Sequence, residues 1–269
     1  MARNFNGTDG YLHVATAVAT AAPMTMVCWF RKTGTASSAR ELVCLSDAST
    51  NIQFFNLSAG DGANAVVYST AYSGGPWDPA VATANFSADQ WHHAAAVFVS
   101  SSQRHVYLDG ANKGSSSAVV VPTGQDHTSI GRIVFSSPSD YFAGDIAEVA
   151  IWNAALTDAE IAVLARGFSP LCLLNRLPNL VLYQDLIRPL DHPGIGPALT
   201  ATGVTTVATH PRIVYPWVLP SGALRRQVQF LDFYRVSAAA AHACAVQQGW
   251  SAVSGTELGS TYPVGEVSN

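Results

Sequence analysis

Residues 142 to 164 read Phe142-Ala-Gly-Asp-Ile-Ala-Glu-Val-Ala-Ile-Trp-Asn-Ala-Ala-Leu-Thr-Asp-Ala-Glu-Ile-Ala-Val-Leu164. The first half has the period of a strand. Strict alternation puts Ile146, Glu148, Ala150 and Trp152 on one side and Asp145, Ala147, Val149 and Ile151 on the other. Both sides are largely apolar, so the strand is expected to lie between two layers. The period then changes. Thr157 and Glu160 form a Thr-x-x-Glu capping box, Ile161 and Leu164 follow at helical spacing, and Gly167 stops the turn. A buried strand running into one short helix is the expected centre of the fold.

Most of the remaining chain has strand character. Met24, Met26, Cys28 and Phe30 alternate with Thr25, Val27, Trp29 and Arg31. Leu42 to Leu45 and Ile52 to Leu57 predict two strands joined by a turn at Asp47 to Asn51, and Ala65 to Ser69 predicts another. Two prolines and two glycines in Ser73-Gly74-Gly75-Pro76-Trp77-Asp78-Pro79 make Thr70 to Asn85 a long irregular loop. Trp91 to Val99 and Arg104 to Leu108 form a hairpin pair, and Asp109-Gly110 turns the chain back toward Lys113. Ala118 to Val121, Ser129 to Phe135 and Gly144 to Trp152 are expected to complete the sheets. Asn179 to Tyr183 and Leu199 to Val207 follow as later strands. Prolines at 211, 216 and 220 mark a boundary, leaving residues 216–269 as a separate C-terminal extension.

Four blocks resemble the laminin G-like domains of the concanavalin A-like superfamily, which includes the pentraxins. The first is Phe5-Asn6-Gly7 to Tyr11-Leu12, like an opening strand. The second is Trp91-His92-His93 with Val106-Tyr107-Leu108-Asp109-Gly110. The third is Ile130-Gly131-Arg132, and the fourth is Phe142 to Leu164 itself. The resemblance implies an all-β jelly-roll sandwich over residues 1–215 with one short helix, and a closing strand near residue 180 beside the first.

Composition narrows the function. The 269 residues are 48% hydrophobic and 12% charged, with a net charge of −4. Lys32 and Lys113 are the only lysines, and Arg31-Lys32 and Arg225-Arg226 are the only adjacent basic pairs. A phosphate backbone needs clustered cations, so no nucleic-acid partner is expected. No apolar run reaches membrane-spanning length, and Met1-Ala2-Arg3-Asn4-Phe5 leads into the first strand without a secretory signal. Cys28, Cys44, Cys172 and Cys244 are widely spaced and read as buried free thiols of a protein made in a reducing cytosol.

Catalysis is not expected. Glucanases of this superfamily carry Glu-x-Asp-x-x-Glu on one strand, supplying nucleophile and general acid. Here Asp145 and Glu148 match the second half, but Ala143 occupies the nucleophile position. Asp145 then reads as a bulge or strand-end residue and Glu148 as partly exposed. His92 and His93 are neighbours on a strand, point to opposite faces, and cannot share a metal. Glycan binding asks for exposed aromatics with polar partners. Tyr72, Trp77 and Asp78 in the long loop are the first candidates and Tyr141 the next. No cofactor is required, and calcium is the alternative, since the resemblance implies a cation at the sheet rim. Asp47, Asn51 and Asp140 are the candidate oxygen ligands.

The expectation is a non-enzymatic, virion-associated structural or adhesion protein, a phage capsid decoration or tail component. It would be made in host cytoplasm and held in the particle by its C-terminal arm, through other virion proteins or its own homo-oligomer. A loose similarity of His210 to Pro216 to the tails of laminin G-like phage proteins supports that setting. Cell-surface glycan is the expected external partner. A free lectin-like glycan-binding protein is the other class.

Overall fold

The computed structural model describes residues 2–33, 40–60, 65–187, 194–207 and 209–216. The extension predicted at 216–269, with Cys244, lies outside the described residues apart from Pro216 itself. In chain order the strands are β1 (Ala2–Asn6), β2 (Tyr11–Val14), β3 (Met24–Lys32), β4 (Arg40–Ser46), β5 (Gln53–Ala59), β6 (Val67–Ser73), β7 (Ala80–Val81) and β8 (His92–Ser100). They continue with β9 (Gln103–Leu108), β10 (Ala111–Ser116), β11 (His127–Ile130), β12 (Ala143–Trp152), β13 (Leu180–Gln184), β14 (Thr200–Thr202) and β15 (Thr205–Val207). One α-helix, α1 (Asp158–Ala165), lies between β12 and β13, followed by two 3-10 turns at Pro170–Cys172 and Leu174–Asn179.

The strands form two antiparallel sheets. One has the order β10-β9-β8-β3-β12-β1-β15, with β13 also paired to β12; the other is β14-β2-β11-β4-β5-β6-β7. The inner faces meet in a continuous apolar core that includes Phe5, Leu12, Met26, Phe30, Leu42, Leu57, Phe98, Phe142, Ile146 and Ile151. A second core lies on the outer face of the eight-stranded sheet. There α1 and the turns after it cover Val27, Ala95, Val97, Tyr107 and Trp152 with Leu156, Ile161, Leu164 and Phe168. The strand β12 is therefore buried on both faces, and Trp152 is fully buried. The capping box forms as read: Thr157 Oγ1 accepts from the Glu160 N–H at 3.3 Å, and Glu160 Oε2 accepts from the Thr157 N–H at 2.7 Å.

Several expectations are corrected. Strict alternation fails within β12, because its register against β3 shifts between Ala147 and Ala150 and Glu148 takes a positive φ of 54°. This bulge sends Ile146, Val149 and Ile151 to the inner core, and Ala150 and Trp152 to the outer one. Glu148 is buried, not partly exposed. Asp145 is a fully buried mid-strand residue; its carboxylate accepts from Arg31 Nε at 2.7 Å and Asn4 Nδ2 at 2.8 Å. Ala118 to Val121 is not a strand, and the strand predicted at 129–135 is only β11. The closing strand β13 pairs with β12 along Val149 to Trp152, end-on to β1, which pairs with β12 along Ala143 to Ile146. The neighbour of β1 is β15; the stretch read as one strand is split between the sheets, its first part, β14, pairing with β2 in the other one.

Candidate functional site

Among the described residues, no helix covers the outer face of the seven-stranded sheet. Along β5 the side chains alternate: Phe55 and Leu57 enter the inner core, while Phe54 joins Cys44 and Ile133 in a small outer cluster. Pairing fixes what stands beside them. Tyr72 of β6 is directly opposite Phe54, Thr70 is opposite Asn56, and Cys44 of β4 is opposite Asn56 on the other side. The β4–β5 register shifts between Glu41 and Val43, and Asn56 Nδ2 donates to Glu41 Oε1 at 2.7 Å.

Two irregular segments raise walls around this floor. The chain after β11 doubles back through an Ile133–Ser139 bridge, and the Asp140 carbonyl then accepts from the Glu41 N–H at 3.0 Å. This places Ile133, Phe135 and Asp140 on one side. On the other, the β6–β7 loop carries Trp77. Its ring centroid lies 5.7 Å from Tyr72 and 6.3 Å from Phe54, and Phe135 lies 5.5 Å from Phe54. The open pocket measures about 270 Å³ and is lined by Glu41, Asn51, Phe54, Asn56, Tyr72, Trp77, Ile133, Phe135 and Asp140. Trp77 is 58% exposed, the largest aromatic surface offered to solvent beside it.

The floor is polar and buried. Glu41 is 5% exposed and Asn56 2%, yet among the described residues Glu41 Oε2 and Asn56 Oδ1 have no hydrogen-bond partner. Desolvation pushes the Glu41 carboxyl well above the usual carboxylate range, and nearby Asp140 adds to the rise against the opposing Asn56 hydrogen bond. Burial raises the Cys44 thiol in the same way, with Glu41 contributing. Among the described residues no Lys, Arg or His lines the pocket.

Of the residues predicted to bind ligand, Tyr72 and Trp77 reach the pocket, although Tyr72 stands on β6 and not in a loop. Asp78 does not line it. Its backbone carbonyl accepts from Arg104 and its Oδ2 from Ser116 Oγ at 2.9 Å, so it pins the loop that presents Trp77. Tyr141 lies elsewhere, 6.4 Å from Tyr11, whose ring carries the Arg132 guanidinium at 3.3 Å. The three candidate calcium ligands do not converge. Asn51 and Asp140 line the pocket, Asp140 also pairing with Arg40 at 3.2 Å, whereas Asp47 Oδ1 accepts from the Ser49 N–H at 2.8 Å as a turn residue. Among the described residues no group of three or more His, Cys, Asp or Glu is placed to hold a metal ion.

The glucanase-like strand is differently used. Glu148 Oε2 accepts from buried Tyr183 Oη at 2.7 Å and Oε1 from half-buried Tyr215 Oη at 2.7 Å, so both oxygens are engaged by phenols. Its partner position is Ala143, at the start of β12. His92 is held by Asp109 Oδ2 at 2.8 Å and by the Ser87 N–H at 3.1 Å, and His93 faces Trp29 at 5.5 Å. The two stand at adjacent positions of β8, on opposite faces as read.

A family model described as the concanavalin A-like lectin/glucanases superfamily matches residues 6–162. The chain belongs to this superfamily. A sequence search of curated proteins returns no match. Among solved structures, the superfamily fold is shared with a heptameric SAP-like pentraxin from Limulus polyphemus: 14% identity, 76% of this chain, 92% of that one, TM-score 0.52. It is also shared with the CBM40 of an IT-sialidase from Ruminococcus gnavus: 14% identity, 60% of this chain, 95% of that one, TM-score 0.52.

The pocket residues that sequence reading missed are Glu41, Phe54, Asn56, Ile133 and Phe135. A signal was present. Glu41 and Asn56 are the polar residues in otherwise apolar strands, Glu41-Leu-Val-Cys-Leu45 and Phe54-Phe-Asn-Leu57. A polar side chain on a strand face that carries aromatics needs a hydrogen-bond partner from the protein, solvent or a ligand.

Proposed function

We propose that this chain is a non-enzymatic glycan-binding module and that the pocket on the outer face of the seven-stranded sheet is its site. The observation that carries this reading is the coincidence in one concavity of an exposed aromatic wall, Trp77 with Tyr72 and Phe54, and two buried side-chain oxygens without protein partners. Sugar rings offer apolar C–H faces to aromatic rings and hydroxyls to such oxygens. Superfamily membership supports it. Binding in this pocket requires no metal, so chelation with EDTA is expected to leave it unchanged; loss on chelation would favour calcium at Asn51 and Asp140 instead. The test is a glycan array followed by titration calorimetry of Trp77→Ala. Binding should fall at least tenfold while near-UV circular dichroism is unchanged, and undiminished binding by the variant would refute the site.

The setting we propose is a phage particle, with residues 216–269 attaching the module to other virion proteins or to its own copies. Cys28 and Cys44 are buried free thiols, which agrees with synthesis in a reducing compartment. The resemblance of His210 to Pro216 to the tails of laminin G-like proteins of phage genomes supports the same setting. Deleting 217–269 should leave a glycan-binding sandwich that no longer co-sediments with particles. A full-length chain found only as free protein would instead favour the lectin reading.

A further inference from the structure

The pocket floor offers more than general polarity, and this inference rests on the glycan-binding reading. Glu41 and Asn56 already share one hydrogen bond, from Asn56 Nδ2 to Glu41 Oε1. That leaves Glu41 Oε2 and Asn56 Oδ1 as the free pair. The chemistry of Oε2 depends on the proton. The carboxyl is buried, shares the pocket with Asp140, and has no cation in the pocket lining. The ionisable groups around it are Cys44 on its own strand, Tyr72 on β6, Asp140 across the pocket, and Arg40, which is engaged with Asp140. Taking a carboxylate out of water without a counter-charge favours the neutral acid. Burial accordingly shifts Glu41 toward its protonated form. A neutral Glu41 can donate from Oε2, while the Asn56 carbonyl can only accept.

The free pair is thus one donor beside one acceptor, set against an apolar wall of Phe54, Ile133 and Phe135. A sugar acetamido group has the matching set: an N–H to donate, a C=O to accept, and a methyl to bury. We propose that the pocket selects N-acetylated hexosamines, with the acetamido group held between Glu41 and Asn56, its methyl on Ile133 and Phe135, and the pyranose ring on Trp77. A sugar carboxylate would face Glu41 and Asp140 with no cation, so acidic sugars are excluded. A free ammonium would demand an ionised Glu41, which the site disfavours. A plain hydroxyl could use the pair but would leave the apolar wall unfilled.

The experiment compares oligomers of N-acetylglucosamine, their de-N-acetylated form, and glucose oligomers by calorimetry, with N-acetylgalactosamine as the epimer control. The N-acetylated ligand is expected to bind at least tenfold tighter than the other two. Glu41→Gln keeps a donor in place and should retain binding, with no pH dependence from this residue. Glu41→Leu should lose at least tenfold. For the natural chain, affinity should fall as pH rises through the raised Glu41 pKa, because ionisation turns the donor into an acceptor. Preference for the free-amine oligomer, abolished by Glu41→Gln, would overturn the proposal by showing a charged Glu41. Trp77-dependent binding that ignores both the acetyl group and the Glu41 variants would overturn it and leave the glycan site standing. Binding unaffected by Trp77→Ala, or no binding to any glycan, would sink both.

Discussion

Acidification is expected to destabilise this fold through His93, and the size of the effect can be worked out. The ring is 1% exposed, packs edge-on against Trp29 at 5.5 Å, and among the described residues its Nδ1 has no partner. Val27, Leu164, Phe168 and Pro170 line the small cavity beside it. Burial pushes its pKa from 6.5 down to about 4, with Asp109 offsetting only part. Between those values the unfolded chain binds a proton that the folded chain refuses. Stability therefore rises with pH across this window and is lost as pH falls through it. A single site so displaced costs about 1 kcal/mol at pH 6, about 2 at pH 5 and about 3 at pH 4, relative to pH 8. The assay is urea denaturation of the natural chain and of His93→Gln, each at pH 7.5 and pH 5. The variant is expected to be less stable at both, but its stability should change by about 2 kcal/mol less between them. Parallel pH profiles for the two proteins would refute the assignment of a neutral buried His93.

Other expectations follow from single contacts. Trp152→Ala removes a fully buried indole between β12 and α1 and should cost about 3–5 kcal/mol, read from the denaturant midpoint. Thr157→Ala removes one half of the capping box and should cost about 1 kcal/mol; a change below the error would show that Glu160, also held by Arg176 Nε at 2.6 Å, caps the helix alone. Tyr215→Phe deletes the 2.7 Å donor to Glu148 while Tyr183 keeps its own, and should cost about 1.5–3 kcal/mol. Unaltered stability would mean the segment at 209–216 is not fastened through Glu148. Gly131→Ala should destabilise by about 1–3 kcal/mol or more, since φ is +80° and the new Cβ would fall 2.3 Å from the Phe5 ring. Normal stability there would contradict the packing of β1 over that turn.

The fold was largely legible because its signals are local. The alternation in Met24 to Arg31, the Asp109-Gly110 turn and the Thr157–Glu160 box each depend on residues a few positions apart, and each appears where it was read. Local period fails where a bulge intervenes. Nothing near Glu148 announces that the chain inserts an extra residue there, and the insertion reverses which side chains reach which core. The partners that keep Glu148 buried, Tyr183 and Tyr215, are 35 and 67 residues away.

The pocket shows the same division. Aromatic content in a Gly- and Pro-rich loop marked Trp77 and Tyr72 by itself. Asp78 carried the same local signal but turns away, because Arg104 and Ser116 on the opposite sheet claim it. Glu41 and Asn56 become neighbours only through the register of β4 on β5, and Asp140 joins them through a backbone contact spanning the sandwich sequence. The sequence by itself thus determined which segments are strands, where the helix starts, and that an aromatic surface is offered. Tertiary structure alone decided which polar groups stand under that surface, because strand pairing and burial couple residues that no local period connects, and burial then sets whether Glu41 keeps its proton.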